Sequence, residues 1–107
     1  MSEIVQLPEN FIGKEDRERL ESFGGHTIGH GRATRWHWTS DDGGSDVFEI
    51  YRGGADEHLA YRVSRDRRND VFRVHDALER EVISGDLEHI MAGLEELLST
   101  EHGEFPA

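Results

Sequence analysis

Between Arg32 and His75 the large apolar side chains recur at every second position, in four stretches separated by short polar breaks. A period of two marks a strand with one face buried and the other wet, and it rules out a helix for this part of the chain. The stretches are 32–40, 47–52, 57–64 and 71–75. The breaks, Asp41–Ser45, Gly53–Asp56 and Arg65–Asp70, have the length and the Gly, Asp and Asn content of hairpin connections.

One antiparallel register satisfies all three hairpins, because directly opposed residues share a face. Centring the first hairpin on Gly43 places Trp36 opposite Ile50 and Trp38 opposite Phe48. Centring the second on Gly54-Ala55 places Ile50 opposite Leu59 and Phe48 opposite Tyr61. Centring the third on Arg67-Arg68 places Tyr61 opposite Val74 and Val63 opposite Phe72. All of these residues then lie on one face, which predicts a four-stranded meander and needs a cover.

The flanking segments supply that cover. Residues 14–23 are strong helix formers, with Gly24-Gly25 as the expected stop. Asp76 and Glu79 form a D-x-x-E pattern that predicts a short helix over 77–83. In 87–99, Leu87, Ile90, Met91, Leu94, Leu97 and Leu98 make one helical stripe, with Asp86 as its N-cap. The expected fold is therefore α+β: a four-stranded antiparallel β-meander with an N-terminal helix and two C-terminal helices packed on one face. It is read as one small domain, 1–107, with 1–8 and 100–107 as flexible ends.

Composition narrows the chemistry. The 107 residues hold 23 acids against 12 bases, a net charge of −11, and Lys14 is the one lysine. In this the chain resembles the proteins of salt-loving archaea. In about 1 M salt the Debye length falls to about 3 Å and repulsion among crowded carboxylates is screened. The acidity is uneven: residues 76–107 hold nine acids against Arg80 alone, while 26–75 hold eight of each sign. The absence of Cys excludes a disulfide framework, a zinc ribbon and a thiol nucleophile. With neither a long apolar run nor an apolar leader, the expected setting is cytoplasmic, away from membranes.

The register also fixes the uncovered face. Arg35 falls beside Tyr51 and then His58; His37 beside Glu49, Ala60 and His75; Val47 beside Arg62 and Arg73. A solvated outer face is common in antiparallel sheets. The functional reading is an interaction face made of Arg35, His37, Glu49, Tyr51, His58, Arg62, Arg73 and His75. Tyr and Arg are enriched in interface cores, which suits a non-enzymatic binding module. The expected partner is a second copy, a homodimer formed through this face or through an outer strand. Gly93, inside the last helix, offers another point of close approach by a partner backbone.

Other readings are weaker. The seven His invite a metal, yet strand spacing puts His37 and His75 about 14 Å apart, and His26 and His30 about 13 Å apart if extended. Gly25, Gly29 and Gly31 count against a helix that would unite the last two. Neither a metal nor a cofactor is expected. His37 beside Glu49 would make an oriented imidazole, but no nucleophile or phosphate cradle accompanies it, so an enzyme is not expected. The alternative is nucleic-acid binding through Arg62, Arg65, Arg67, Arg68 and Arg73, a hairpin whose Asp66 and Asp70 leave it at +3. Such contacts weaken steeply with salt.

Overall fold

The computed structural model describes residues 11–104, with side chains as far as Ser99. Of the ends expected to be flexible, 1–8 and 105–107 lie outside the described residues, whereas the backbone of 100–104 continues the last helix. The elements in chain order are α1 (Lys14–Gly29), β1 (Arg35–Ser40), β2 (Asp46–Arg52), β3 (His58–Asp66), β4 (Val71–Asp76), β5 (Glu81–Gly85) and α2 (Leu87–Glu104). The strands form one antiparallel sheet in the order β1-β2-β3-β4-β5. The α+β class and the antiparallel meander are as expected, but the described residues form five strands and a single C-terminal helix. No helix among the described residues is long and apolar enough to cross a membrane.

The additional strand replaces the helix expected over 77–83. Asp76 does use its carboxylate on the following amides, but Oδ1 accepts from Leu78 and Arg80 rather than opening a helix. The Asp76 N–H donates to the Arg80 carbonyl at 2.9 Å, which closes a hairpin. Glu79 sits in the left-handed region at φ 65°, a conformation that no helix continues through. β-branched Val82 and Ile83 then extend along β4.

The first helix runs past its expected stop. Leu20, Gly24 and Thr27 are its buried residues, spaced as a helical stripe in which one position happens to be glycine. A Cβ on Gly24 would lie 2.5 Å from Cδ1 of Trp36, so the missing side chain lets the helix sit directly on the indole. The Thr27 hydroxyl donates back to the Gly24 carbonyl at 2.8 Å. At the other end of the contact, Trp38 Nε1 donates to Glu21 at 2.8 Å and the Arg17 guanidinium stacks 4.0 Å from the Trp38 ring.

The first hairpin has the expected register, with Trp36 opposite Ile50 and Trp38 opposite Phe48. The next two are displaced: Ile50 faces Tyr61, Phe48 faces Val63 and Val63 faces Val74. A bulge between Ile50 and Tyr51 absorbs a residue near the turn. From Val47 to Ile50 and along β3–β4 the displacement is by two positions, so these side chains keep their expected face; beyond the bulge Tyr51 pairs with Leu59, a displacement of one. The core accordingly contains Phe48, Ile50, Tyr61, Val63, Phe72 and Val74, with Trp36 and Trp38 packed on its rim.

Leu87, Ile90, Leu94 and Leu98 of α2 complete that core, and the Asp86 carboxylate caps the helix by accepting from the His89 amide at 2.7 Å. A Cβ on Gly93 would meet Ile83 Cδ1 at 2.6 Å. The close approach expected at Gly93 is thus made by a side chain of this chain's own sheet, and Gly93 is not a contact point for a partner backbone.

Candidate functional site: the uncovered sheet face

The uncovered face is organised around a carboxylate. Glu49 points away from the helices from the middle of β2, yet it is only 4 % exposed. The Tyr51 hydroxyl donates to Oε1 at 2.8 Å, Arg62 Nε donates to Oε2 at 3.0 Å, and His37 Nε2 lies 3.1 Å from Oε1. Burial alone would push this carboxyl up; the hydrogen bonds from Tyr51 and Arg62 and the Arg62 charge outweigh it, and Glu49 is held below the usual range. The Tyr51 phenol moves up, through burial and through its bond to Glu49.

The network continues to the sheet edge. Arg35 donates from Nε and Nη2 to Glu57 Oε1 at 3.1 and 3.0 Å, its guanidinium lies 4.1 Å from the Tyr51 ring, and its Nη1 is 2.9 Å from His37 Nδ1. A guanidinium can only donate, so Nδ1 must accept and the His37 proton sits on Nε2, directed at Glu49. The imidazole also stacks on Tyr51, with ring centres 5.4 Å apart. Glu57 is held low by Arg35 and then by the Thr34 hydroxyl. Alternation along 57–64 would set Glu57 on the covered side with Leu59 and Tyr61; in the structure Glu57 precedes β3 and accepts from Arg35 and Thr34 instead.

A second knot ties the last three strands. Arg73 donates to Asp66 at 2.8 Å and to Glu81 at 2.9 Å. Asn69, followed by Arg73, lowers the Asp66 carboxyl to about 2.

Of the eight residues expected to form an interaction face, Arg35, His37, Glu49, Tyr51 and Arg62 are joined. His75 lies opposite Arg62 in the register and Arg73 belongs to the second knot. His58 lies beyond the bulge, its Nδ1 3.1 Å from the Asp56 carbonyl, and is not part of the cluster. The two-residue displacement is what brings Arg62, rather than Ala60, to Glu49. Chemically the cluster is self-satisfied: both nitrogens of His37 and both oxygens of Glu49 already have partners.

The five arginines proposed for nucleic acid do not share a face. Arg62 and Arg73 lie on the open side, whereas Arg65 faces Phe72 from the helix side, 4.7 Å from its ring, and pairs with Asp70 at 2.6 Å. Arg67 stacks 4.7 Å from Phe11. Arg68 is exposed in the turn between β3 and β4.

His26 and His30, which an extended chain would separate, are brought to 4.2 Å between ring centres because α1 runs on beneath them. Among the described residues no group of three or more His, Asp or Glu is placed to hold a metal ion.

The two outer strands differ. β1 presents Arg35 and His37, both tied into the polar network, and its two Trp lie under α1. β5 presents Val82, 42 % exposed, and the turn leading into it carries Leu78, 71 % exposed. Comparison of the chain with protein-family models, with curated proteins and with solved structures finds no match.

Proposed function

We propose that this chain is a small acidic interaction module without catalytic activity, which pairs with a second copy of itself along β5. The observation that carries this reading is the location of exposed apolar side chains. Of three exposed large hydrophobics among the described residues, two, Leu78 and Val82, belong to the β4–β5 hairpin. β5 is also an outer strand, with one backbone edge available for pairing. Antiparallel pairing centred on Ile83 sets Val82 opposite Ser84 of the partner subunit and Arg80 opposite Asp86 of the partner subunit. In this register the two Val82 side chains are diagonal neighbours on one face, and no two acids oppose each other. The polar network on the sheet face supports the edge over the face as the contact, since its groups are already paired.

The test is sedimentation in 2 M KCl, the solvent that the acidic, lysine-poor composition suits. Wild type should sediment as a dimer and Val82→Glu as a folded monomer. A wild-type monomer at all concentrations would overturn the reading. A Val82→Glu variant that stays dimeric while Tyr51→Glu dissociates would return the contact to the open face. Melting temperature should also rise as KCl increases from about 0.1 to 2 M, through screening of like charges.

A further inference from the structure

The segment joining α1 to β1 and the turn joining β2 to β3 meet at one end of the sheet around a pocket of about 400 Å³. Its polar wall consists of Arg32, Thr34, Arg52, His58 and the backbone of Gly53 and Gly54. In a chain of 23 acidic residues this wall contains no carboxylate. Four other concavities on the surface are each lined by at least one acid: Asp66, Glu15, Asp16 and Asp76 respectively. The pocket adjoins the Glu49 network, because the Thr34 hydroxyl in its wall donates to Glu57 at 2.9 Å, and none of its lining residues belongs to β5.

The turn is built in a way that only glycine permits. Gly53 has φ 114°, and a Cβ there would lie 2.5 Å from the Asp56 carbonyl oxygen; Gly54 follows at φ 58°. No acceptor among the described residues takes the N–H of either glycine. Successive unpaired amides in a tight turn make a concavity suited to an anion. Arg32 reaches Glu95 at only 3.6 Å, longer than a charge-assisted hydrogen bond, so its fork retains donors. His58 is oriented through Nδ1, which donates to the Asp56 carbonyl, and Nε2 is left as its remaining polar atom. Elsewhere the wall is Ala33 and glycine backbone, which is apolar or bare.

We propose that this pocket binds a phosphate monoester carried on a small apolar or aromatic body. A tetrahedral dianion uses donors converging from several directions, which a guanidinium fork and two turn amides supply and which a planar carboxylate would use only in part. The volume is that of a small-ligand site, and its apolar stretch fits the body of the ester.

The experiment is an amide NMR titration of the full chain with phenyl phosphate, with inorganic phosphate, benzoate and phenol as comparisons. Expected are saturable shifts of the Gly53 and Gly54 amides by phenyl phosphate, with Kd below about 1 mM. Each comparison compound should bind at least about tenfold more weakly. Arg32→Gln should weaken phenyl phosphate by about tenfold with the rest of the spectrum unchanged, and Arg68→Gln, in the β3–β4 turn at the opposite end of the sheet, should bind as wild type does. Absence of saturable shifts at Gly53 and Gly54 would overturn the proposal. So would benzoate or inorganic phosphate binding as tightly as phenyl phosphate, or Arg32→Gln binding unchanged.

Discussion

Strand β2 serves two interiors at once. Phe48 and Ile50 point into the helix-covered side, where Leu20, Ile90, Leu94 and Leu98 exclude water completely. Val47 and Glu49, the alternate residues, point to the other side and are also buried, at 8 % and 4 % exposure. The covered side is held by apolar area removed from water, a diffuse term to which many atoms contribute. The open side is held by a carboxylate whose partners must all be present, since a buried charge missing one of them is costly. The first kind of interior is most sensitive to a change in polarity, and the second to the loss of any one partner.

The largest test of this contrast is Leu94→Asp. Leu94 is fully buried in the middle of the α2 stripe. A carboxylate there has no partner, and its cost of several kcal/mol rivals the total stability of a domain, about 5–15 kcal/mol. Circular dichroism should show an unfolded chain in dilute buffer. Glu95→Ala, one position along and exposed, loses a long ion pair to Arg32 at 3.6 Å and should change stability by less than about 0.5 kcal/mol. Equal melting temperatures for the two variants would show that the helix face is assigned wrongly.

On the open side, Glu49→Ala should cost about 2–3 kcal/mol, because Tyr51, Arg62 and His37 all lose their acceptor. Urea denaturation would show a lower midpoint. An unchanged midpoint would mean that water replaces the carboxylate freely and that the open side has no interior of its own.

Acid should separate the two sides further. The carboxyls of Glu49, Glu57, Asp66 and Asp76 are all held low in the folded chain, Asp66 at about 2. A folded-state pKa below the unfolded value means stability that is fully present above about pH 4 and lost as pH falls through the folded values. In 2 M KCl, which screens the general repulsion, the urea midpoint should hold from pH 7 to about 5 and then decline toward pH 2. Asp66→Asn should flatten the lowest part of that decline. A midpoint that rises on acidification would reverse the sign and contradict the assignment.

How much of this could be read from the chain depended on whether the signal was local. Side-chain alternation is a property of each strand, so the faces of Trp36, Phe48, Ile50, Val63 and Val74 were legible even though two registers were displaced by two residues. The stripe from Leu87 to Leu98 was legible for the same reason. Asp76–Glu79 was misread because one local pattern serves two structures: the same carboxylate can cap a helix or close a hairpin, and Glu79 at φ 65° decides for the hairpin. The site was half legible. His37 beside Glu49 followed from the undisplaced first hairpin, whereas Arg62 at Glu49 and Glu57 at Arg35 depended on a bulge that no single-strand pattern records.

The smallest effect concerns two adjacent glycines of α1 that look alike in sequence and differ in what lies beneath them. Gly25 faces open space, with nothing within 4 Å of a built Cβ. Gly25→Ala removes backbone freedom from the unfolded chain and should raise stability by about 0.5–1 kcal/mol. Gly24→Ala gains the same helix preference but drives a methyl to 2.5 Å from Trp36 Cδ1 and 3.1 Å from Phe48 Cζ. Overpacking of this kind costs about 1–3 kcal/mol, so the net change should be a loss of about 1 kcal/mol. Thermal melts of the two variants should therefore move in opposite directions. Trp emission should change in Gly24→Ala and not in Gly25→Ala, because the indole must shift to admit the methyl. If both variants melt higher than wild type, α1 does not bear directly on Trp36, and the covered side is looser at β1 than at the α2 stripe.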